Sequence, residues 1–259
     1  MIITSTKNDQ IKYLKLLQSK SKVRVENNHF IVEGIREMNI ALKSGIDVVK
    51  IYLNQSTYSD SLDLTKAIEV IEISDGVYQH VAYRSGTEGI IGLCRTPSHG
   101  IADLKFTSVH PLIIVLESPE KPGNIGAVLR TADAAKVDAV IIAEPLTDLY
   151  NPNTIRSSLG AIFSTQIATG SNLEVEEFLT SHNVYGFAAT LQNSNLYLEE
   201  DYINASAFIM GSEAKGLTEF WRNKPKIKAV NIPMNGMLDS LNLSVSTAIL
   251  TYEAVRQRQ

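Results

Sequence analysis

Apolar residues in this chain gather into short unbroken runs, and the segments between them carry helical spacing. In the first third, β-type runs fall at residues 30–32, 48–53, 70–73 and 89–93, and a helical pattern spans 34–43. Ile11, Leu14 and Leu17 recur at helical spacing nearer the start, with Lys12 and Lys15 between them. Residues 95–111 hold neither period; Pro97, Ser98, His99, Gly100 and a closing His110-Pro111 are turn chemistry. The pattern predicts a smaller α/β domain over 1–98, a linker over 99–110 and a second domain over 111–259.

The second part alternates more regularly. Residues 112–116 and 139–143 read as fully buried strands, with a helix over 125–136 between them. Further strands are predicted at 184–189, 207–210 and 229–232, and a last helix over 243–256. Val245, Ala248, Ile249, Tyr252 and Val255 give that helix an apolar stripe that either a core or a second subunit would cover. Buried strands alternating with helices imply a mostly parallel sheet covered on both faces, whose ligands bind in loops at the carboxyl ends of the strands.

Three such loops carry chemistry. The first, E-S-P-E-K-P-G-N-I-G-A-V-L-R (117–130), predicts a helix capped by Asn124 with Arg130 nearly two turns up. The second, I-M-G-S-E-A-K-G-L (209–217), has glycines at the first positions of a phosphate loop. Leu217-Thr218 stands where Lys-Ser/Thr is required, so a triphosphate site is not expected, and no G-x-G-x-x-G fingerprint occurs. What remains is a glycine-opened strand end presenting Glu213. The third, I-P-M-N-G-M-L-D-S-L-N-L-S-V-S (232–246), places Ser240, Asn242, Ser244 and Ser246 at the start of the last helix, more small polar groups than one cap needs. Taken singly, each loop is also accounted for by ordinary capping and turn formation.

Composition narrows the class. The 259 residues are 44% hydrophobic and 20% charged, ordinary for a globular protein. One cysteine, Cys94, excludes an internal disulfide and a cysteine-rich zinc site, and the five histidines form no metal motif, so no metal is expected. No apolar run approaches the ~18 residues of a membrane helix, and no signal core follows the N-terminus; the expectation is a cytoplasmic protein away from membranes. Net charge is −4, yet residues 1–50 carry nine Lys/Arg against five Asp/Glu, with Lys20, Lys22 and Arg24 in the densest stretch. Such a stripe tracks phosphates or is the solvated face of a helix. Arg156, and the cluster Arg222, Lys224, Lys226 and Lys228, raise the same pair of readings.

Together the three loops resemble the three motifs of the SpoU (TrmH-type) RNA 2′-O-ribose methyltransferases of the SPOUT superfamily, through N-I-G-A-V-L-R-T-A-D-A (124–134), I-M-G-S-E-A-K-G-L (209–217) and the third loop in full. A fourth stretch, N-P-N-T-I-R-S-S-L-G-A (151–161), is similar to the segment after the second strand in that family. F-I-V-E-G-I-R-E (30–37) and G-T-E-G-I-I-G (86–92) resemble the RNA-recognition domain that many of these enzymes carry. The resemblance implies a trefoil-knotted, mostly parallel α/β catalytic domain with a smaller N-terminal α/β RNA-binding domain. It implies S-adenosyl-L-methionine as cofactor, held around Gly211, Ile232, Met234 and Leu241, and a homodimer. Matching positions give Asn124, Arg130, Glu213, Ser240 and Asn242 as the catalytic set; the basic positions Lys20, Lys22, Arg24 and Arg156, read from local charge, are the expected RNA contacts. Ribosomal RNA of the 23S type is the implied substrate, ahead of tRNA; a non-catalytic RNA-binding or ribosome-assembly factor is the rival of another class.

Mechanisms discussed for the family make the arginine a general base. A guanidinium is too weak an acid to give up its proton in ordinary protein surroundings. A cation that stabilises a developing alkoxide is the reading that chemistry favours for Arg130, with Asn124, Ser240 and Asn242 orienting it or the ribose. Glu213 then accepts a hydrogen bond from Arg130, braces the loop or serves as the base.

Overall fold

The computed structural model describes residues 2–59, 62, 69–83, 88–222 and 224–259. Gly86 and Thr87 of the G-T-E-G-I-I-G stretch lie outside the described residues. The chain forms two compact units, Met1–Pro97 with Asp148–Ser164, and Ser98–Thr147 with Thr165–Gln259.

The first unit has a five-stranded sheet of β1 (Ile2–Ile3), β2 (His29–Glu33), β3 (Val48–Leu53), β4 (Val70–Ile73) and β5 (Ile90–Arg95), in the order β1-β4-β3-β5-β2. β5 runs antiparallel to both its neighbours, while β1 and β3 pair with β4 in parallel. Around it lie α1 (Asp9–Ser19), α2 (Ser21–Asn27), α3 (Ile35–Lys43) and α4 (Asp75–Val81). Asn8 caps α1 by accepting from the Gln10 N–H at 2.9 Å, and α1 buries Ile11, Leu14 and Leu17, the stripe that the helical spacing predicts. They join Ile31, Tyr52, Ile73 and Val77 in one core.

Arg24 departs from the expected phosphate-tracking stripe. It is only 3% exposed, pairs with Asp148 and donates to the carbonyls of Leu17 and Gln18. Buried, with Nε and Nη1 bonded inside the protein, Arg24 is a structural residue rather than an RNA contact. Lys20 and Lys22 are exposed, and Lys22 lies 3.7 Å from Glu26.

The second unit begins with β6 (Leu112–Glu117), α5 (Pro122–Ala134) and β7 (Ala139–Ala143). The chain then supplies α6 (Pro152–Ser158) and α7 (Ala161–Ser164) to the first unit. There Phe30 stacks on Tyr150 at 4.1 Å and on Phe163 at 6.0 Å between ring centroids, contacts worth ~0.5–1.5 kcal/mol each beyond their burial. Returning, it forms β8 (Ile167–Gly170), α8 (Asn172–Ser181), β9 (Tyr185–Ala189), β10 (Asn195–Leu196), β11 (Ser206–Met210), β12 (Ile227–Asn231) and α9 (Leu243–Gln257). Residues 99–110 are bound into this unit instead of spanning freely: Gly100 bridges Thr169, and the His99 carbonyl accepts from the Thr169 N–H at 2.8 Å.

Every neighbouring pair in the second sheet, ordered β10-β12-β9-β11-β6-β7-β8, is parallel. β6, β7 and β11 are buried along their whole length, which is why they appear in the sequence as unbroken apolar runs. The connection leaving β6 runs to β7 on one side, and that leaving β11 runs to β12 on the other. The carboxyl ends of β6 and β11 therefore flank a topological switch point, where open parallel sheets bind ligands.

Two expected details change. α5 starts at Pro122 with Lys121 as its cap, not at Asn124, because proline at the first helical position is already set to helical φ and lacks an N–H that needs a partner. Asn124 falls inside the first turn, and its side chain is free for other work. On α9 the internally buried face is Leu243, Thr247, Leu250, Thr251 and Ala254, so Val245 and Tyr252 of the expected stripe stay exposed.

Candidate active site and cofactor cavity

The loop after β11 is shaped by close backbone approach. A Cβ at Gly211 would lie 2.2 Å from the Gly216 carbonyl carbon and from the Leu217 nitrogen, so only glycine fits there. The loop folds back through a Ser212–Gly216 bridge, with the Gly216 N–H on the Ser212 carbonyl at 2.9 Å. Gly216 completes the reversal at φ 68°, a region glycine adopts without strain.

Glu213, at the crest of this loop, reaches the start of the first loop. Its carboxylate accepts from the Asn124 amide at 2.5 Å and from the Glu120 N–H at 3.1 Å. Burial alone would raise the Glu213 pKa; the donors from Glu120 and Asn124, with backbone donors including Lys121, outweigh it and hold the carboxyl below the usual glutamate value. The Asn124 oxygen in turn accepts from the Asn242 amide at 3.2 Å. Asn242 caps α9, accepting from the Ser244 N–H at 2.9 Å and the Ser244 hydroxyl at 2.7 Å. One chain of hydrogen bonds thus links all three loops: Asn242 to Asn124 to Glu213.

Beside this chain lies a cavity of about 560 Å³. Gly211 and Glu213 of the second loop line it, as do Ile232, Met234, Ser240, Leu241 and Asn242 of the third. Every expected cofactor residue is therefore on its wall, together with three of the five expected catalytic residues. Asn124 is one hydrogen bond away. Arg130 is exposed on α5, outside the lining, and among the described residues has no hydrogen bond or ion pair; it does not donate to Glu213. Ser240 is exposed and reaches Asp239 at 3.4 Å. Arg156 is exposed on α6 in the first unit.

The wall also includes groups that the motifs do not mark. Thr190 and Leu191 follow β9 directly, where the strand-end rule would have found them. Lys121 and Lys215 add two cations with no readable spacing, and Arg222 of the basic cluster joins them. Among the described residues there is no cluster of three His, Cys, Asp or Glu able to hold a metal, and no helix long and apolar enough to cross a membrane.

A cavity this size, set at a topological switch point of a parallel sheet and bordered by a glycine loop, defines an α/β protein that binds a nucleotide-like cofactor. The family model of the SpoU rRNA methylases matches residues 111–252, and that of the MRM3-like substrate binding domain matches residues 8–92. The chain belongs to the SpoU rRNA methylase family. It is 30% identical over 96% of its length to the Bacillus subtilis (strain 168) 23S rRNA (guanosine(2553)-2′-O)-methyltransferase RlmP, 97% of which is covered. A crystal structure of an RNA 2′-O ribose methyltransferase superposes with a TM-score of 0.84 at 37% identity, covering 100% of this chain and 99% of that one. The AdoMet-bound rRNA methyltransferase of Sinorhizobium meliloti does so with a TM-score of 0.88 at 27% identity, covering 99% and 97%.

Proposed function

We propose that this chain methylates a ribose 2′-hydroxyl of ribosomal RNA of the 23S type, using S-adenosyl-L-methionine. The observation that carries the reading is the hydrogen-bonded junction of three loops, Asn242 to Asn124 to Glu213, at the mouth of a cavity whose Gly211 wall admits no side chain. The cofactor fits the residues present: an apolar wall of Ile232, Leu241 and Leu250 for a purine and the carbon chain beside the sulfonium, and polar groups among the same lining. When bound, it supplies an electrophilic methyl on a sulfonium.

The chain's own work is to hold the acceptor in line and stabilise charge as the hydroxyl becomes an alkoxide. The motif match assigns that role to Arg130, which stands exposed on α5 outside the cavity lining of its own chain and so would reach the acceptor across the proposed homodimer; a guanidinium does not take the proton itself. Glu213 is a poor base for this step, since each of its carboxylate oxygens already accepts a hydrogen bond and its pKa is lowered. Its role is to brace Asn124 and the first loop. A phosphate oxygen or water takes the proton.

Lys20, Lys22 and Arg156, all exposed, supply phosphate contacts, with the first unit as the RNA-binding domain. The protein acts as a homodimer in the cytoplasm. Supporting the dimer, Val245 and Tyr252 of α9 are 46% and 49% exposed, and Met237 and Leu238 in the loop before it are 104% and 75% exposed. The reading carries with it the trefoil knot of these enzymes; one cavity lined by the loops after β9, β11 and β12 and by α9 supports it.

Calorimetry with S-adenosyl-L-methionine, followed by transfer of a labelled methyl to bulk ribosomal and transfer RNA, tests the reading. Binding with label in ribosomal RNA is expected. Absence of binding at millimolar cofactor would leave an RNA-binding factor, and label confined to transfer RNA would move the substrate.

A further inference from the structure

Glu117, the last residue of β6, is 1% exposed and carries a carboxylate. A buried carboxylate persists only when its lone pairs are filled. Three donors fill them here. The Thr218 N–H reaches Oε2 at 2.8 Å, the Thr218 hydroxyl reaches Oε1 at 2.6 Å, and the Asn172 amide reaches Oε1 at 2.6 Å. Thr218 is the residue immediately after Gly216 and Leu217, which line the cofactor cavity. Glu117 thus reaches from the strand of the first loop to the exit of the second. Glu213 reaches the opposite way, from the crest of the second loop to Glu120 and Asn124 of the first.

We propose that Glu117 and Thr218 form a positioning clasp that sets the cofactor loop, the counterpart of the Glu213 contacts at the other end of the same loop. This rests on the functional reading above. The two carboxylates cross between the loops, and residues 211–217 are suspended between them. The bridge of Ser212 to Gly216 fixes the loop's own shape, but it does not fix where that loop stands over the sheet; the clasp does. Neither Glu117 nor Thr218 lines the cavity, so both act through the backbone of Gly216 and Leu217. The Asn172 oxygen is buried without a partner among the described residues. A glutamine at 117 would therefore be tolerated: its oxygen takes the Thr218 N–H, and a flipped Asn172 amide accepts from its NH₂.

The test is calorimetric affinity for S-adenosyl-L-methionine in the full chain, with steady-state kinetics on ribosomal RNA. Thr218→Val removes one donor and leaves the fold; the expected result is a cofactor Kd raised about ten-fold, with kcat at saturating cofactor and KM for RNA within two-fold of wild type. Thr218→Ser restores the hydroxyl and is expected to bind within two-fold of wild type. Glu117→Gln should fall between wild type and Glu117→Ala. A Thr218→Val protein that binds cofactor like wild type overturns the clasp, as does a Thr218→Ser protein as weak as Thr218→Val, or a loss confined to KM for RNA. Wild-type protein that binds no cofactor overturns the functional reading and the clasp together.

Discussion

Gly211 offers the sharpest perturbation of the cavity. Replacing it by alanine places a Cβ 2.2 Å from two backbone atoms of residues 216 and 217, and 2.6 Å from the Gly216 carbonyl oxygen. Those atoms are backbone, so the clash cannot be relieved by rotating a side chain. The loop must move outward at the point where it lines the cavity. Overpacking of this kind costs roughly 1–3 kcal/mol. If the cost is released only when the loop leaves its binding geometry, cofactor Kd rises by roughly 5- to 150-fold, since ~1.4 kcal/mol is a factor of ten. Two controls separate this from general damage. At Gly236, in the third loop, an added Cβ would meet no atom within 4 Å, and φ lies outside the positive range, so Gly236→Ala should bind within two-fold of wild type. Gly216 has open space but φ 68°, so Gly216→Ala carries only the cost of a left-handed residue, roughly 1–2 kcal/mol. Calorimetric titration with S-adenosyl-L-methionine ranks the three. A Gly211→Ala protein with wild-type affinity, or one no worse than Gly236→Ala, would refute the steric argument.

Arg130→Lys keeps the charge and loses the planar fork; single-turnover methyl transfer should fall at least ~100-fold with cofactor Kd unchanged, and a near-normal rate would remove any specific guanidinium role. Arg24→Ala removes the counter-charge of the largely buried Asp148 and should destabilise the protein by roughly 3–5 kcal/mol in urea unfolding, without changing the salt dependence of RNA binding. A Lys20→Ala, Lys22→Ala double variant should do the reverse, with a shallower salt slope and unchanged stability. Burial lowers the His99 pKa, partly offset by its Nδ1 contact with the Ile167 carbonyl at 3.0 Å. The unfolded chain then binds the extra proton first, so the His99 contribution is complete above the unfolded pKa of about 6.5 and is lost as pH falls toward the folded value. Thermal melts across that window should show the decline in the wild type and less of it in His99→Gln.

Much of this architecture is legible in the apolar runs. Strands buried on both faces, such as residues 112–117, 139–143 and 206–210, leave a continuous signature, and the α1 stripe Ile11–Leu14–Leu17 lies in the core as its spacing predicts. Gly211 is legible because it directly follows β11, and Ile232 because it directly follows β12, whereas Ser240, Leu241 and Asn242 are marked by the polar run that opens α9. Other features depend on partners far along the chain. Arg24 belongs to a basic run that reads as a solvated face; its burial needs Asp148, 124 residues away. The Glu117–Thr218 contact spans 101 residues and has no local mark. Residues 148–164 join the first unit through aromatic stacking on Phe30, which no periodicity announces. Asn124 looks like a cap because Pro122 reads equally well as a stop to the preceding strand; in the fold that proline opens α5 three residues earlier.

What this protein does is decided by where a methyl group goes. Ribosomal RNA from cells lacking this protein, incubated with the purified protein and methyl-labelled S-adenosyl-L-methionine, then digested to nucleosides, reads that directly. The label should appear in a single 2′-O-methylated nucleoside from large-subunit RNA, and it should disappear with Arg130→Lys. Label on a base, or ribosomal RNA left unlabelled by a protein that binds the cofactor, would contradict it.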